Sequence, residues 1–425
     1  LGSNDVVEIQ KHLKKQGGSM QKKVTRRTFL KKSALAGAGL GLAAGGFMPL
    51  RSWGAEPLKI MIGTTFSGPY AETGDYVRKG TQLAVEMFGG KVLGRPIEIV
   101  ERDVPNPSEG VKKAQEAVEK LGVKFFFVSP SSPTVLAVSE YAAKQKVLLI
   151  GAAGADEITG KSCNRFTFRW PVATWSAIRE VVPRIIDLYK AKTFYTITPK
   201  YVFGEDLLRN TQEVLKAKGL TLLGNSDHPM GESDFSSHLT KAMAAKADCV
   251  LFLNFGGDTT NALKQANSFG LNKASRIACV WGSGLTQMKA IGPKILDGVI
   301  WGLQYFYKID APGNRKFVEA FRKKFNETPN YLAANPFTNI LVLLQSIERA
   351  KTDDPVKVVQ AMEDSEYEGL TGTEKFRACD HQAVKPYYTL QCKAPDAMKN
   401  PDDFADIIGS SSNIPPCAET GCKMS

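Results

Sequence analysis

Two short loops carry the residues best suited to holding a small anion. Ser129-Pro-Ser-Ser-Pro-Thr134 and Ser67-Gly-Pro-Tyr70 each follow an apolar run and lead into a segment of helical period. Hydroxyls and unpaired backbone N–H groups at a helix start hold a carboxylate reversibly, without acting on it chemically. The plainer use of the same residues is capping, and Thr134 is placed for it. Side chains for acid–base or covalent chemistry are sparse. After residue 55 the histidines are His228, His238 and His381. Asp380-His381 are adjacent on one backbone, where side chains point apart, so a surface turn is expected rather than an acid–base pair. Trp281-Gly-Ser-Gly284 lacks the leading glycine of a nucleophile elbow. There is no P-loop and no HExxH, and Gly37-Ala-Gly-Leu-Gly41 imitates a dinucleotide loop without the strand that must precede one. No cofactor and no metal site are expected.

The elements that position these loops alternate. Apolar, β-branched or aromatic runs at 58–62, 97–101, 125–128, 147–150, 193–197, 220–223, 249–253 and 276–280 read as strands. Between them, sets such as Val135/Val138/Ala142 and Leu207/Leu208/Thr211/Val214/Leu215 place apolar residues on one helical face. A βαβα rhythm predicts α/β lobes with parallel sheets covered on both faces and ligand groups on loops at the carboxyl ends of strands. The rhythm restarts near Thr193, so the first crossing between lobes is placed at 163–174. Two helices, 314–325 and 336–350, then follow each other with no strand between, before the turn Gly369-Leu-Thr-Gly372 and a strand at 386–391. Residues 399–425 read as an irregular tail.

Residues 1–55 are set apart from the fold. Thr25-Arg26-Arg27-Thr28-Phe29-Leu30-Lys31, followed by the uncharged, glycine-rich stretch 33–50, reads as a twin-arginine export signal with small residues near Ser52, Gly54 and Ala55 for cleavage. This stretch holds ten Lys/Arg and two Asp/Glu, and without it the formal charge falls from +12 to +4. A nearly balanced exported chain offers no electrostatic case for nucleic acid. Its 370 remaining residues exceed what one core usually serves, so two lobes are expected. In an oxidising compartment the seven cysteines favour pairing. Cys249 and Cys279 lie in apolar runs as core residues. Proximity in sequence suggests Cys379 with Cys392 and Cys417 with Cys422, leaving Cys163 over.

One ordered set of residues resembles a known family. Lys59-Ile-Met-Ile-Gly63, Ser67-Gly68-Pro69, Gly74, Gly80, Ala84, Leu93-Gly-Arg-Pro96, Pro130 with Ser131-Ser132, Thr167-Phe-Arg169, Phe203-Gly204 and Asp234-Phe235 resemble the exported substrate-binding proteins of branched-chain amino acid type ABC importers. The likeness spans nearly all of 58–391, and Asp380-His381-Gln382 resembles the family's late return to its second lobe. It implies the type I periplasmic binding protein fold: two doubly wound parallel-sheet lobes joined by three crossovers. On that reading 56–172 and 305–371 form the first lobe, 173–304 and 372–395 the second, and 396–425 the tail.

The resemblance also implies roles. Tyr70 would cover the ligand, and Ser131, Ser132 and Ala153 would bind its carboxylate. Family members that bind amino acids carry a threonine near Ala155 and an acidic residue near Gly284 for the ammonium, and this chain has neither. Asp258 is the substitute on offer. Trp170, Trp175, Tyr201, Phe203, Phe255 and Trp281 cluster where the second lobe's ligand loops should be, and rings stack on flat apolar ligands. Trp175 and Tyr201 are the preferred cleft residues, while Arg169 either reaches a carboxylate or braces the inter-lobe segment. The implied function is a monomeric, non-catalytic periplasmic receptor. It would deliver an aromatic or apolar organic acid to the membrane subunits of an ABC permease. A branched-chain amino acid or small amide is the alternative ligand, and a periplasmic enzyme or ligand-presenting sensor the alternative class.

Overall fold

The computed structural model describes residues 55–67 and 71–424; the export-signal reading and Tyr70 lie outside the described residues. Strands β1 (Leu58–Thr64), β2 (Lys91–Val92), β3 (Arg95–Asp103), β4 (Phe125–Val128), β5 (Leu148–Gly151) and β6 (Thr167–Arg169) form one sheet in the order β2-β3-β1-β4-β5-β6. After them come β7 (Thr193–Pro199), β8 (Thr221–His228), β9 (Cys249–Phe252), β10 (Arg276–Cys279) and β11 (Ile300–Leu303). The small strands β12 (Glu366–Gly369), β13 (Gly372–Phe376) and β14 (Ala383–Val384) form a separate three-stranded sheet. Finally β15 (Tyr387–Cys392) and β16 (Ala405–Ser411) complete the second large sheet, in the order β16-β15-β11-β10-β9-β7-β8.

In both large sheets the central pairs are parallel. In the first, β1 lies between β3 and β4, with Ile60 opposite Ile99 and Phe125. In the second, β9 lies between β7 and β10, with Cys249 opposite Phe194 and Arg276. Strand order therefore reverses beside β1 and beside β7, and in open α/β sheets such reversal points open a crevice at the carboxyl ends of the strands. Every expected strand forms. The sheets are mixed rather than wholly parallel, because β2, β15 and β16 pair antiparallel at their edges.

Local sequence explains the covering helices. The helix Pro107–Leu121 begins where the Asn106 side chain accepts from the Glu109 N–H at 2.9 Å, and it ends at Gly122 with φ 66°. Its neighbours alternate apolar faces against interior strands that are buried throughout, such as Phe125–Val128, as expected for strands covered on both sides. The helix expected at 336–350 starts five residues earlier. Asn330 caps Tyr331–Ala350 by accepting from Ala333 N at 3.1 Å, so Pro336 lies inside the helix instead of opening it. Among the described residues no helix is long and apolar enough to cross a membrane.

Three differences from the sequence reading share a cause. The tail is not irregular throughout: β16 pairs with β15 as the outermost strand of the second sheet. An edge strand buries little, so Ala-Asp-Ile-Ile-Gly-Ser-Ser carries no apolar signature. By running back along β15, β16 carries the chain end to the other lobe. The cysteines consequently pair as Cys163–Cys422 and Cys379–Cys417, with Cα separations of 5.6 and 6.1 Å. Neither local pairing forms, and Cys163 is bonded. Cys392, at the end of β15, is a buried thiol like Cys249 and Cys279.

Candidate functional site

The chain passes between the two large sheets at 170–173, 304–311 and 377–386, and these segments are knotted together. Gln304 accepts from Val172 N at 3.0 Å through its side-chain oxygen. The Lys385 ammonium donates to Gln304 O at 2.9 Å and lies 4.2 Å from the Trp170 ring centre. Trp170 Nε1 donates to Glu374 Oε2 at 2.6 Å. Val172, Gln304, Lys385, Trp170 and Glu374 are all buried, and burial pulls the Lys385 pKa down to about 8.

Arg169 belongs to this knot. It is 1 % exposed, donates through Nε to Gln382 Oε1 at 2.7 Å, and also reaches Ala155 O and Thr159 Oγ1. Burial lowers its pKa to about 10. With every visible donor engaged behind the cleft, Arg169 braces the crossing segment. Nor do Asp380-His381 form a surface turn, since both are buried. His381 stacks on Phe168 at 3.8 Å and pairs through Nε2 with Glu363 at 2.8 Å, while Arg377 clamps Asp380 through two nitrogens.

In front of the hinge, loops at the carboxyl ends of the strands meet. Pro130, Ser132, Ala152, Ala153 and Gly154 from the first lobe face Tyr201, Phe203, Phe255 and Trp281 from the second, with Tyr331 at the side, around a cavity of about 20 Å³. That volume holds roughly one water. Ser132 Oγ accepts from Ala155 N at 3.2 Å, which fixes the loop that carries Ala153. Ser131 sits at the start of the helix Ser132–Gln145, but its hydroxyl makes no capping bond. Phe203 and Trp281 meet edge to face at 5.2 Å. Both rings press on Gly154: a Cβ there would lie 2.8 Å from each.

The two lobes also touch at the rim. Asp156 accepts from Thr174 Oγ1 at 2.7 Å, from Asn210 Nδ2 at 2.7 Å and from Arg209 at 2.7 Å, and its own N–H donates to Asp206 at 2.7 Å. Across the cleft, Thr286 Oγ1 donates to Tyr76 OH at 3.1 Å and accepts from Asn330 at 2.8 Å. The lobes are therefore closed on each other.

Of the sequence-predicted residues, Ser132, Ala153, Tyr201, Phe203, Phe255 and Trp281 share the cavity. Ser131 and Ala155 adjoin the lining residues Ser132 and Gly154, Gly284 packs beside Asn330 and the lining Tyr331, and Arg169, Trp175 and Asp258 lie elsewhere. Trp175 stacks under Arg179 at 4.0 Å and lines a separate hinge-side cavity of about 310 Å³. Asp258 turns toward the loop after β8, accepting from Gly231 N at 3.2 Å, and burial raises its pKa to about 6. Gly284 adopts φ 101° and ψ −149°, a backbone conformation reserved in practice for glycine, so any side chain there would be strained. Tyr331 and Gly154 escaped the sequence reading. The Asn330 cap marks the former; the latter is visible only once both lobes are in place.

The periplasmic binding protein family matches residues 57–398. Over 331 residues the chain is 27% identical to the leucine-, isoleucine-, valine-, threonine- and alanine-binding protein of Pseudomonas aeruginosa, spanning 76% of this chain and 87% of that one. A solved amino acid ABC transporter substrate-binding protein from Pseudomonas fluorescens Pf-5 superposes with a TM-score of 0.84 at 39% identity, covering 87% of this chain and 100% of that one. A periplasmic binding protein from Burkholderia mallei superposes with a TM-score of 0.81 at 28% identity, covering 87% and 99%.

Proposed function

Because the chain belongs to the periplasmic binding protein family, as a relative of the Leu/Ile/Val-binding proteins, we propose that its cleft captures a small aromatic or apolar carboxylate. Capture for an ABC importer, without catalysis, is the activity of that family. The ligand class rests on one observation: no acidic side chain is among the described residues lining the cavity, whereas rings and a hydroxyl-bearing helix start are. An ammonium group entering such a site would be desolvated without a counter-charge, at a cost of several kcal/mol. A carboxylate meets the Ser131-Ser132 helix start instead, where N–H groups and the helix dipole favour it.

Capture then works by closure. A cavity of about 20 Å³ admits no ring, so ligand enters only when the lobes part. It stabilises the closed population in proportion to the contacts that both lobes make with it. Delivery to a membrane permease as a monomer, after export by the twin-arginine route read from 25–31, completes this proposal.

Calorimetric titration with benzoate, isovalerate, acetamide, L-leucine and L-phenylalanine tests it. The expected order places benzoate or isovalerate first. Tight binding of L-leucine alone would overturn the ligand class and favour the second reading, for which the Pseudomonas aeruginosa relative is the specific support.

A further inference from the structure

The chain end ties the two lobes together. β16 belongs to the second lobe's sheet, where it pairs with β15. Six residues after Ser411, Cys417 is bonded to Cys379 in the third crossing segment, and five residues later Cys422 is bonded to Cys163, between β5 and β6 of the first lobe. Both spans are short. Six residues reach at most about 20 Å when fully extended, and Pro415-Pro416 stiffen the first of them.

The strap is also seated along its length. Arg377 donates to Pro415 O at 2.8 Å, and Thr420 O lies so close over Gly160 that a Cβ there would be 2.8 Å away. Pro415, Glu419 and Thr420 wall the 310 Å³ hinge-side cavity, together with Asp156 and Thr159 of the first lobe and Arg209 and Asn210 of the second.

We propose that residues 412–422 are a fourth, covalently anchored connection between the lobes, which limits how far they part and twist. Three peptide crossings define a hinge, and a fourth strand fixed beside them removes freedom that the three leave. The strap acts on the open state, where the lobes would otherwise separate furthest; in the closed state it is already in place. Ligand-free protein consequently samples a narrow range of openings, and less ordering is left for the ligand to supply.

The test compares three proteins carrying spin labels on unnatural amino acids at exposed Met87 and Leu223, one on each lobe. One is the parent chain, the second carries Cys163→Ser with Cys422→Ser, and the third has eight Gly/Ser residues inserted between Ser412 and Asn413. The insertion slackens the strap while leaving both disulfides intact, which separates tethering from any folding defect of the serine variant. Inter-label distances in ligand-free protein are expected to lengthen and broaden in both altered proteins. Distributions that superimpose on the parent in the insertion variant would overturn the proposal. The readout needs no ligand, so it stands or falls apart from the ligand class proposed above.

Discussion

The cleft and the hinge behind it are built from opposite materials. The cleft is rings, glycine, alanine and hydroxyls, with no charged side chain among its described lining residues. The hinge, a few residues away, buries Arg169, Glu374, Asp380 and Lys385. Buried charges hold only where geometry satisfies them, so the hinge network specifies one packing of the three crossing segments. A surface meant to bind and release cannot carry that cost, so the cleft lining meets through rings on Gly154 while the charged contact of Asp156 with Arg209 stays at the rim.

Breaking the hinge side of this contrast should have the largest effect. Arg169→Ala leaves Gln382, Thr159 and two carbonyls without their shared donor and is expected to cost about 3–5 kcal/mol in urea unfolding. A loss below about 1 kcal/mol would show the network to be ornamental. Lys385 makes the hinge sensitive to alkali. Its folded pKa of about 8 lies below the ordinary lysine value, so between those values the unfolded chain binds the extra proton. Stability from this group therefore rises with pH across that window, by at most about 1.4 kcal/mol per unit, and is flat below it. The difference between the parent and Lys385→Met should show that slope; a difference independent of pH would mean that the ammonium is not strained.

The cleft substitutions sharpen the other side. Gly154→Ala should leave the unfolding free energy within about 1 kcal/mol, since the nearest neighbours of its Cβ are rings of the opposite lobe, but should weaken the tightest ligand about tenfold by resisting closure. Unchanged affinity would show that the ligand itself holds Phe203 and Trp281 away from the glycine. Ser132→Ala removes a hydroxyl beside the proposed carboxylate position and should cost about 1–2 kcal/mol in carboxylate binding, read by calorimetry. Equal losses for benzoate and for acetamide would deny it a role specific to the anion.

Much of this molecule was legible in order along the chain. Strands with both faces covered are apolar throughout, so 125–128 and 249–252 announced themselves, and alternation with helical segments implied the parallel interiors. The resemblance carried Ser132, Ala153, Tyr201, Phe203, Phe255 and Trp281 to one place, where the structure also gathers them. The short strands β6 and β11 and the edge strand β16 escaped, because three or four residues, or a half-exposed row, leave too little pattern to read.

The sequence by itself determined the two-lobed α/β framework and the materials of the cleft, because periodicity and residue type are local properties that burial enforces element by element. Tertiary structure alone decided which aromatic rings face the cavity, that Arg169 and His381 serve the hinge, and which cysteines meet. Those facts depend on contacts between segments up to 259 residues apart, and no local pattern encodes a neighbour that the chain reaches only after crossing between its lobes.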